Sequence, residues 1–351
     1  MPTARAYCID SPDGAFHPTS IERREPGPTE VLFDVLFAGI CHSDIHTARS
    51  EWGPAHYPLV PGHELAGIVT QVGENVTGFK VGDHVGVGCF VDSCRECDNC
   101  QAGLEQFCTG TGRTIWTYNC LDHYGNYTDG GYSTAITVDE KYLLHIPESL
   151  PLAEAAPLLC AGITTYSPLK KWGAGPGKQV AIVGMGGLGH VAVKIAVAMG
   201  AEVSVISQTM SKEADGRRFG AIDYVATSEK GALRSVAGKF DLVLSTVAAE
   251  EDITSLVATC KPGGAFVDVG MPAGKSQLSL RALCGTRAVV AASMIGGIAE
   301  TQEMLNFCGE HGIVPQVEVI SGDQITQAYD NVVASKVRYR YVIDTSTFPE
   351  V

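Results

Sequence analysis

The chain has 351 residues, 45% hydrophobic and 18% charged, which is enough for two domains each with its own core. A formal charge of −14 argues against broad attraction to nucleic acid, and no run of about 18 apolar residues offers a membrane span. Met1 to Asp10 lacks a basic-then-apolar secretion pattern, so the expected compartment is the cytoplasm.

The first part, to about Leu159, is dense in Gly, Pro and short β-branched runs. Residues 31–37 and 65–71 read as strands, punctuated by turns at Pro61-Gly62 and Gly82-Asp83. This predicts a twisted, mostly antiparallel β-rich domain. Within it, Cys94, Cys97, Cys100 and Cys108 crowd into one loop. Four thiolates so spaced can wrap one zinc tetrahedrally and leave no open position, as in a structural site. An iron–sulfur cluster competes as a reading, but nothing else in the chain suggests electron transfer. A nucleic-acid-binding zinc ribbon is disfavoured by the acidic charge. In a reducing compartment, clustered thiols read as metal ligands before disulfides. Cys8, Cys89, Cys120, Cys260, Cys284 and Cys308 carry no ligand spacing and read as buried or inert thiols.

A catalytic zinc needs three protein ligands and an open fourth position. Gly62-His63-Glu64 supplies a histidine after a Pro-Gly turn. Cys41, in Cys41-His42-Ser43-Asp44, and Cys160, in Leu159-Cys160-Ala161-Gly162, are the natural thiolate partners. Cys160 stands at the expected junction of the two domains, where ligand clefts tend to form.

From Cys160 the texture changes to alternating strand and helix. Residues 180–183 read as a strand, 190–199 as a helix and 203–206 as the next strand; 241–245, 265–270 and 288–293 continue the series. Such alternation implies a doubly wound parallel sheet with helices on both faces. Gly184-Met185-Gly186-Gly187-Leu188-Gly189 lies between the first strand and its helix. Gly184 permits the tight turn, Gly186 lets backbone approach a pyrophosphate, and Gly189 allows helix to pack on strand. The second strand ends in Ser207-Gln208-Thr209, where NAD sites usually place Asp or Glu for the ribose hydroxyl. With no carboxylate there, the hydroxyls of Ser207 and Thr209 and the cation of Lys212 suit a 2′-phosphate. The tail reads as a helix over 299–309 and strands over 317–320 and 339–343. It is expected to return to the first domain, giving a discontinuous domain of residues 1–159 and 298–351 around a dinucleotide domain of 160–297.

These residues resemble the zinc-containing medium-chain dehydrogenases, and more narrowly the cinnamyl alcohol dehydrogenase family with its bacterial NADP-dependent alcohol dehydrogenases. The resemblance rests on Cys41-His42-Ser43-Asp44-Ile45-His46, Glu51-Trp52-Gly53, Pro61-Gly62-His63-Glu64, the four-cysteine loop and residues 114–119. It continues through Gly130-Gly131-Tyr132, residues 160–164, the glycine loop and Ser293-Met294-Ile295-Gly296-Gly297. It implies a GroES-like catalytic domain beside a Rossmann cofactor domain, two zinc ions per chain, and NADP(H) preferred over NAD(H). Cys41, His63 and Cys160 would hold the catalytic zinc, a Lewis acid, with Glu64 an alternate ligand and Asp44 orienting the ligand histidine. Ser43 would hydrogen-bond the alcohol oxygen and contact the cofactor, and His46 would complete a proton relay. Thr164, Thr246, Gly270, Ser293, Met294 and Ile295 match cofactor-contacting positions. Trp52, Trp116, Met294 and Ile295 match the walls of the substrate pocket, although on residue type alone the tryptophans suit a core equally. The chain departs from the family pattern at Gln208 and in carrying only Lys212 where many members have two lysines.

The implied reaction interconverts primary alcohols and aldehydes, aromatic or medium-chain aliphatic, in a homodimer or homotetramer. The rival enzyme is a zinc polyol dehydrogenase, against which Cys160 argues because such enzymes often replace that thiolate with a carboxylate. Zinc-free quinone or enoyl reductases lack these cysteines. A non-catalytic zinc-and-nucleotide redox sensor would bind cofactor without turnover.

Overall fold

The computed structural model describes residues 2–249, 252–272 and 274–351. The chain forms two compact units, residues 1–163 with 296–351, and residues 164–295. The first unit opens with a hairpin of β1 (Thr3–Cys8) and β2 (His17–Glu22). Next come β3 (Glu30–Gly39), β4 (Leu65–Val72), β5 (His84–Val87), β6 (Phe90–Asp92), β7 (Ile115–Trp116), β8 (Ala135–Asp139) and β9 (Leu144–His145). β3 pairs antiparallel with both β4 and β8, and β4 continues to β5 and β9. Val31, Leu32, Phe33 and Val35 of β3 are buried, and only Asp34 in this stretch is exposed.

The second unit is a parallel sheet of β10 (Gln179–Val183), β11 (Glu202–Ser207), β12 (Asp223–Ala226), β13 (Phe240–Ser245), β14 (Cys260–Asp268) and β15 (Val289–Ala292). Its order is β12-β11-β10-β13-β14-β15. Val180 to Val183 are buried throughout, as expected where helices cover both faces of a sheet. The strand order reverses between β10 and β13, the place where doubly wound sheets bind ligands beyond their strand ends. The chain then returns to the first unit, where β16 (Val317–Ile320) and β17 (Arg340–Asp344) extend the sheet beside β3. There Ile325, Tyr329, Ile343 and Phe348 join Tyr7, Ile40, Ile45 and Tyr132 in one core cluster.

Several elements differ from the sequence reading. The fifth parallel strand begins at Cys260 rather than Ala265, because Cys260 pairs with Phe240 before a register shift. β12 and the β1–β2 hairpin carried too little alternation to be read. Cys160 and Gly296–Gly297 group with the first unit, whereas the expected boundary placed them in the second. The segment before Cys160 lies against the β5 region: a Cβ on Gly86 would meet the Leu159 side chain at 2.8 Å, and one on Gly88 the Leu159 carbonyl at 2.8 Å.

Candidate metal centres and dinucleotide cradle

Cys41, His63, Glu64 and Cys160 come from three separate segments, and their ligand atoms lie within 4.8 Å of one another. All four are buried. Cys41 precedes the short helix His42–Ala48, whose third residue, Asp44, is 0% exposed. One Asp44 oxygen accepts the Cys41 amide at 2.9 Å, and the other faces His63 Nδ1 at 2.8 Å. The same carboxylate therefore caps the helix and orients the imidazole, leaving Nε2 as its ligand atom.

His63 is positioned from the other side by backbone. Gly62 has φ +111°, and a Cβ there would meet Tyr132 and the Gly131 amide under 3.0 Å. Amides of Gly130, Gly131 and Tyr132 donate to the carbonyls of Val60, Gly62 and Pro61. The buried Arg23 clamps that second segment, donating to the carbonyls of Asp129, Gly130 and Ala135 and to Ser133 Oγ.

Burial and close contacts shift the four groups in different directions. Hydrogen bonding from Cys160, aided by His63 and the charge of Arg340, holds the Cys41 thiol well below its usual range. Its bonds to Cys41 and Cys89 push the Cys160 thiol up. Burial opposes charging of His63, but Asp44 and Cys89 hold its imidazole well above the usual histidine range. Burial pushes the Glu64 carboxyl up, to about 8, against the pull of Arg340.

Three participants were not found from sequence. Arg340 pairs with both oxygens of Glu64 from 276 residues away, with no local signal. Cys89, read as an inert thiol, lies against Cys160 instead. Glu51 faces His46 Nδ1. It lies within the quoted Glu51-Trp52-Gly53 stretch, so its spacing from His46 was a usable signal. His46 Nε2 is buried with no hydrogen-bond partner among the described residues, so it is open to a proton donor or acceptor. Ser43 Oγ lies 3.7 Å from Cys41 Sγ. Trp52 stacks on His46 at 4.8 Å and is 41% exposed, and Trp116 is 36% exposed, so neither is a core residue.

The second cluster is Cys94, Cys97, Cys100 and Cys108. Sulfurs bound tetrahedrally at roughly 2.3 Å from zinc stand roughly 3.8 Å apart. Here the separations are 3.9 Å for Cys94–Cys100, 3.6 Å for Cys97–Cys100 and 4.0 Å for Cys97–Cys108. Amides of Cys94, Cys97 and Thr109 point at the sulfurs of Cys108, Cys94 and Cys97. Such bonds favour thiolate, and the amides of Cys100 and Thr109 hold the Cys97 thiol down at about 5. Burial pushes Cys100 up to about 12. The donor set, its spacing and its amide cradle fit a closed zinc site.

In the second unit the expected cofactor residues gather at the carboxyl ends of the strands. The glycine loop leaves β10 and enters the helix Gly189–Ala198. A Cβ on Gly189 would lie 1.9 Å from the Gly184 carbonyl, whereas one on Gly186 would meet nothing within 4 Å. Backbone is thus packed tight at the helix start and open where a pyrophosphate would approach. Met185 is buried, Gly187 and Leu188 half-buried. Thr246, just beyond β13, donates to the Val183 carbonyl at 2.9 Å. A Cβ on Gly270, beyond β14, would strike the Val247 carbonyl at 2.0 Å. Ser293 follows β15 with its amide on Asp268, Met294 is half-buried, and Ile295 is buried with φ +40°. Thr164 is buried. Ser207 is half-buried at the end of β11, with Gln208 and Thr209 exposed beside it. Lys212 Nζ reaches back to the Met185 carbonyl at 2.7 Å, which holds a cation against the glycine loop.

Residues 27–148 match the family model of the alcohol dehydrogenase GroES-like domain, and residues 187–310 that of the zinc-binding dehydrogenases. The chain is 58% identical over 347 residues to NADP-dependent alcohol dehydrogenase C 1 of Mycolicibacterium smegmatis, covering 99% of each chain. Among solved structures it is similar to a cinnamyl alcohol dehydrogenase of Sorghum bicolor, with TM-score 0.95, 42% identity and full coverage of both chains. It is also similar to the Helicobacter pylori cinnamyl alcohol dehydrogenase complexed with NADP(H), with TM-score 0.91, 43% identity and 98% coverage of each.

Proposed function

The chain belongs to the zinc-containing medium-chain alcohol dehydrogenases of the cinnamyl alcohol dehydrogenase type, and we propose that it interconverts primary alcohols and aldehydes with NADP(H). The observation that carries this reading is the buried convergence of Cys41, His63 and Cys160 with Glu64, in which His63 is oriented by Asp44. Cys41, His63 and Cys160 would hold one zinc, with Glu64 able to replace a ligand, and Cys94, Cys97, Cys100 and Cys108 a second. When bound, the catalytic zinc supplies Lewis acidity toward the substrate oxygen, and the nicotinamide gives or takes the hydride.

The remaining work falls to side chains. Ser43 Oγ receives the hydroxyl proton of an alcohol substrate, or returns it to a reduced aldehyde. His46 Nε2 carries the proton onward, and Glu51 at Nδ1 fixes the ring tautomer and stabilises the imidazolium. The glycine loop, Thr246, Gly270 and residues 293–295 form the cofactor cradle. Ser207, Thr209 and Lys212 favour a 2′-phosphate, since no carboxylate stands at the end of β11 to repel it.

Residues 1–163 with 296–351 would be the catalytic domain, and residues 164–295 the cofactor domain. Exposed Trp52 and Trp116 of the first unit favour aromatic or medium-chain aliphatic aldehydes. No helix among the described residues is long and apolar enough to cross a membrane. The twelve free cysteines support a cytoplasmic setting. The edge strand β15 exposes Val289 and the adjoining helix exposes Leu280, which supports a homodimer formed through that edge.

The deciding experiment measures oxidation of NADPH and NADH with a panel of aromatic, aliphatic and sugar aldehydes, alongside metal analysis. Turnover of cinnamaldehyde or benzaldehyde with NADPH, abolished in Cys160→Ala, supports the reading. Tight NADPH binding with no turnover of any aldehyde overturns it in favour of a nucleotide sensor.

A further inference from the structure

We propose that Tyr118 is a positioning residue for proton transfer: its hydroxyl anchors the short helix that carries Ser43, and its ring braces His63. The inference rests on the reading above, in which Ser43 exchanges the substrate proton. Ser43 is the second residue of the helix His42–Ala48. Seven residues are too few for a helix to hold its shape and place alone, so tertiary anchors must set its position. Asp44 ties its start to the Cys41 amide at 2.9 Å, and Tyr57 Oη holds its far end through the Ala48 carbonyl at 2.8 Å. The anchor at Ser43 itself is Tyr118 Oη, which donates to the Ser43 carbonyl at 3.3 Å from 75 residues along the chain. A carbonyl only accepts and a phenol is protonated at neutral pH, so the direction of this bond is fixed.

The backbone on either side pins Tyr118 in place. Thr117 is 1% exposed and donates its amide to the Cys89 carbonyl at 3.1 Å and its hydroxyl to the Gly88 carbonyl at 2.6 Å. The Asn119 amide donates to the Thr128 carbonyl at 3.0 Å, and Asn119 Oδ1 accepts the His56 amide at 2.9 Å. Tyr118 is buried in the core cluster that includes Ile45 and Tyr132. Its ring lies alongside the His63 imidazole, with centroids 6.0 Å apart and planes at 24°, the spacing of an offset aromatic pair. Asp44 holds that imidazole at Nδ1, and the Tyr118 face limits its tilt about the bond. One side chain thus restrains both the histidine that would hold metal and the serine that would take the proton.

The neighbouring phenols behave differently. The Tyr329 hydroxyl donates to that of Tyr132 at 3.2 Å, so these two rings satisfy each other inside the core. Tyr118 reaches out to the helix instead. In helical geometry the Ser43 carbonyl already faces the Thr47 amide, and its second lone pair takes the phenol. The bond is therefore a lateral restraint that the helix does not need in order to close. Losing it should leave the fold intact and cost the placement of Ser43, to which proton transfer is sensitive at sub-ångström scale.

The test compares wild-type holoenzyme with Tyr118→Phe and Tyr118→Leu, reading the single-turnover rate of NADPH formation from benzyl alcohol in H₂O and D₂O. Tyr118→Phe keeps the ring and is expected to slow this rate about five- to tenfold, with a larger solvent isotope effect. Its zinc content should be unchanged, and its KM for alcohol and Kd for NADP+ should stay within about twofold of wild type. Tyr118→Leu also removes the ring, and should in addition lower zinc affinity about fivefold or more against a chromophoric chelator. Should Tyr118→Leu impair folding, Tyr118→Phe decides alone. A wild-type rate and isotope effect in Tyr118→Phe overturn this inference alone. So does a slower rate with an unchanged isotope effect and a lowered melting temperature, which marks an ordinary core residue. A wild type that oxidises no alcohol overturns the reading above and this inference with it.

Discussion

Asp44→Asn is the most informative single change, because one buried carboxylate serves both the helix that follows Cys41 and the ring of His63. Its two oxygens face the Cys41 amide at 2.9 Å and His63 Nδ1 at 2.8 Å, and the residue is 0% exposed. The carboxamide is nearly isosteric but has a single acceptor oxygen. Whichever way it turns, its NH₂ group points at a donor, either the Cys41 amide or the protonated Nδ1. A charge-assisted bond contributes about 1.5–3 kcal/mol net, and no water enters so buried a position to replace it. If that loss falls on the ligand geometry, zinc affinity drops roughly ten- to a hundredfold, since about 1.4 kcal/mol is a factor of ten. Competition with a chromophoric chelator at neutral pH reads this directly. Steady-state turnover at saturating zinc separates lost metal from misplaced metal. Apart from Ser43, the cofactor residues named above lie in the other compact unit, so the NADPH dissociation constant should stay within about twofold. Wild-type zinc affinity and turnover in Asp44→Asn would refute the assignment of His63 as a ligand aimed by Asp44.

Other changes test other parts of the site. Purified protein should hold two zinc ions per chain, and Cys97→Ser should lower this to about one and cut the melting temperature by at least about 5 °C, because a structural metal contributes directly to folding. His46→Gln should slow alcohol oxidation most at acidic pH and leave zinc content unchanged; loss of zinc would make His46 a ligand. Ser207→Asp should shrink an NADPH preference of roughly tenfold, chiefly through the Michaelis constant, because the 2′-phosphate takes no part in the chemistry. Equal specificity constants for NADH and NADPH in wild type would refute that reasoning. The hydrogen bond from Lys239 at 2.8 Å, and then its charge, hold the Asp223 carboxyl below its usual range, so this pair stabilises the fold above that range and loses its contribution as pH falls through the lowered value. Lys239→Met should therefore destabilise by under about 1 kcal/mol at neutral pH, for a pair this exposed, and by nothing in strong acid. Denaturant midpoints at both pH values check it.

What could be read in the sequence follows the range over which each signal acts. The glycine loop was legible because strand, turn and helix are contiguous. The four-cysteine loop was legible because its four thiols lie within fifteen residues of one another. Cys41, His63 and Cys160 were each weak alone, and family resemblance rather than spacing joined them, since three separate segments must fold before their ligand atoms meet. Arg340 gave no signal at all. Its guanidinium is recruited by a carboxylate 276 residues distant, and only the return of β17 beside β3 brings the two together. Cys89 was misread for a related reason. A thiol without ligand spacing is most often inert, yet this one sits against Cys160 after the β5 region packs on residues 156–160. Local motifs thus announce sites formed by one loop. Sites formed by register or by long-range return depend on pairings that the hydrophobic pattern encodes only collectively.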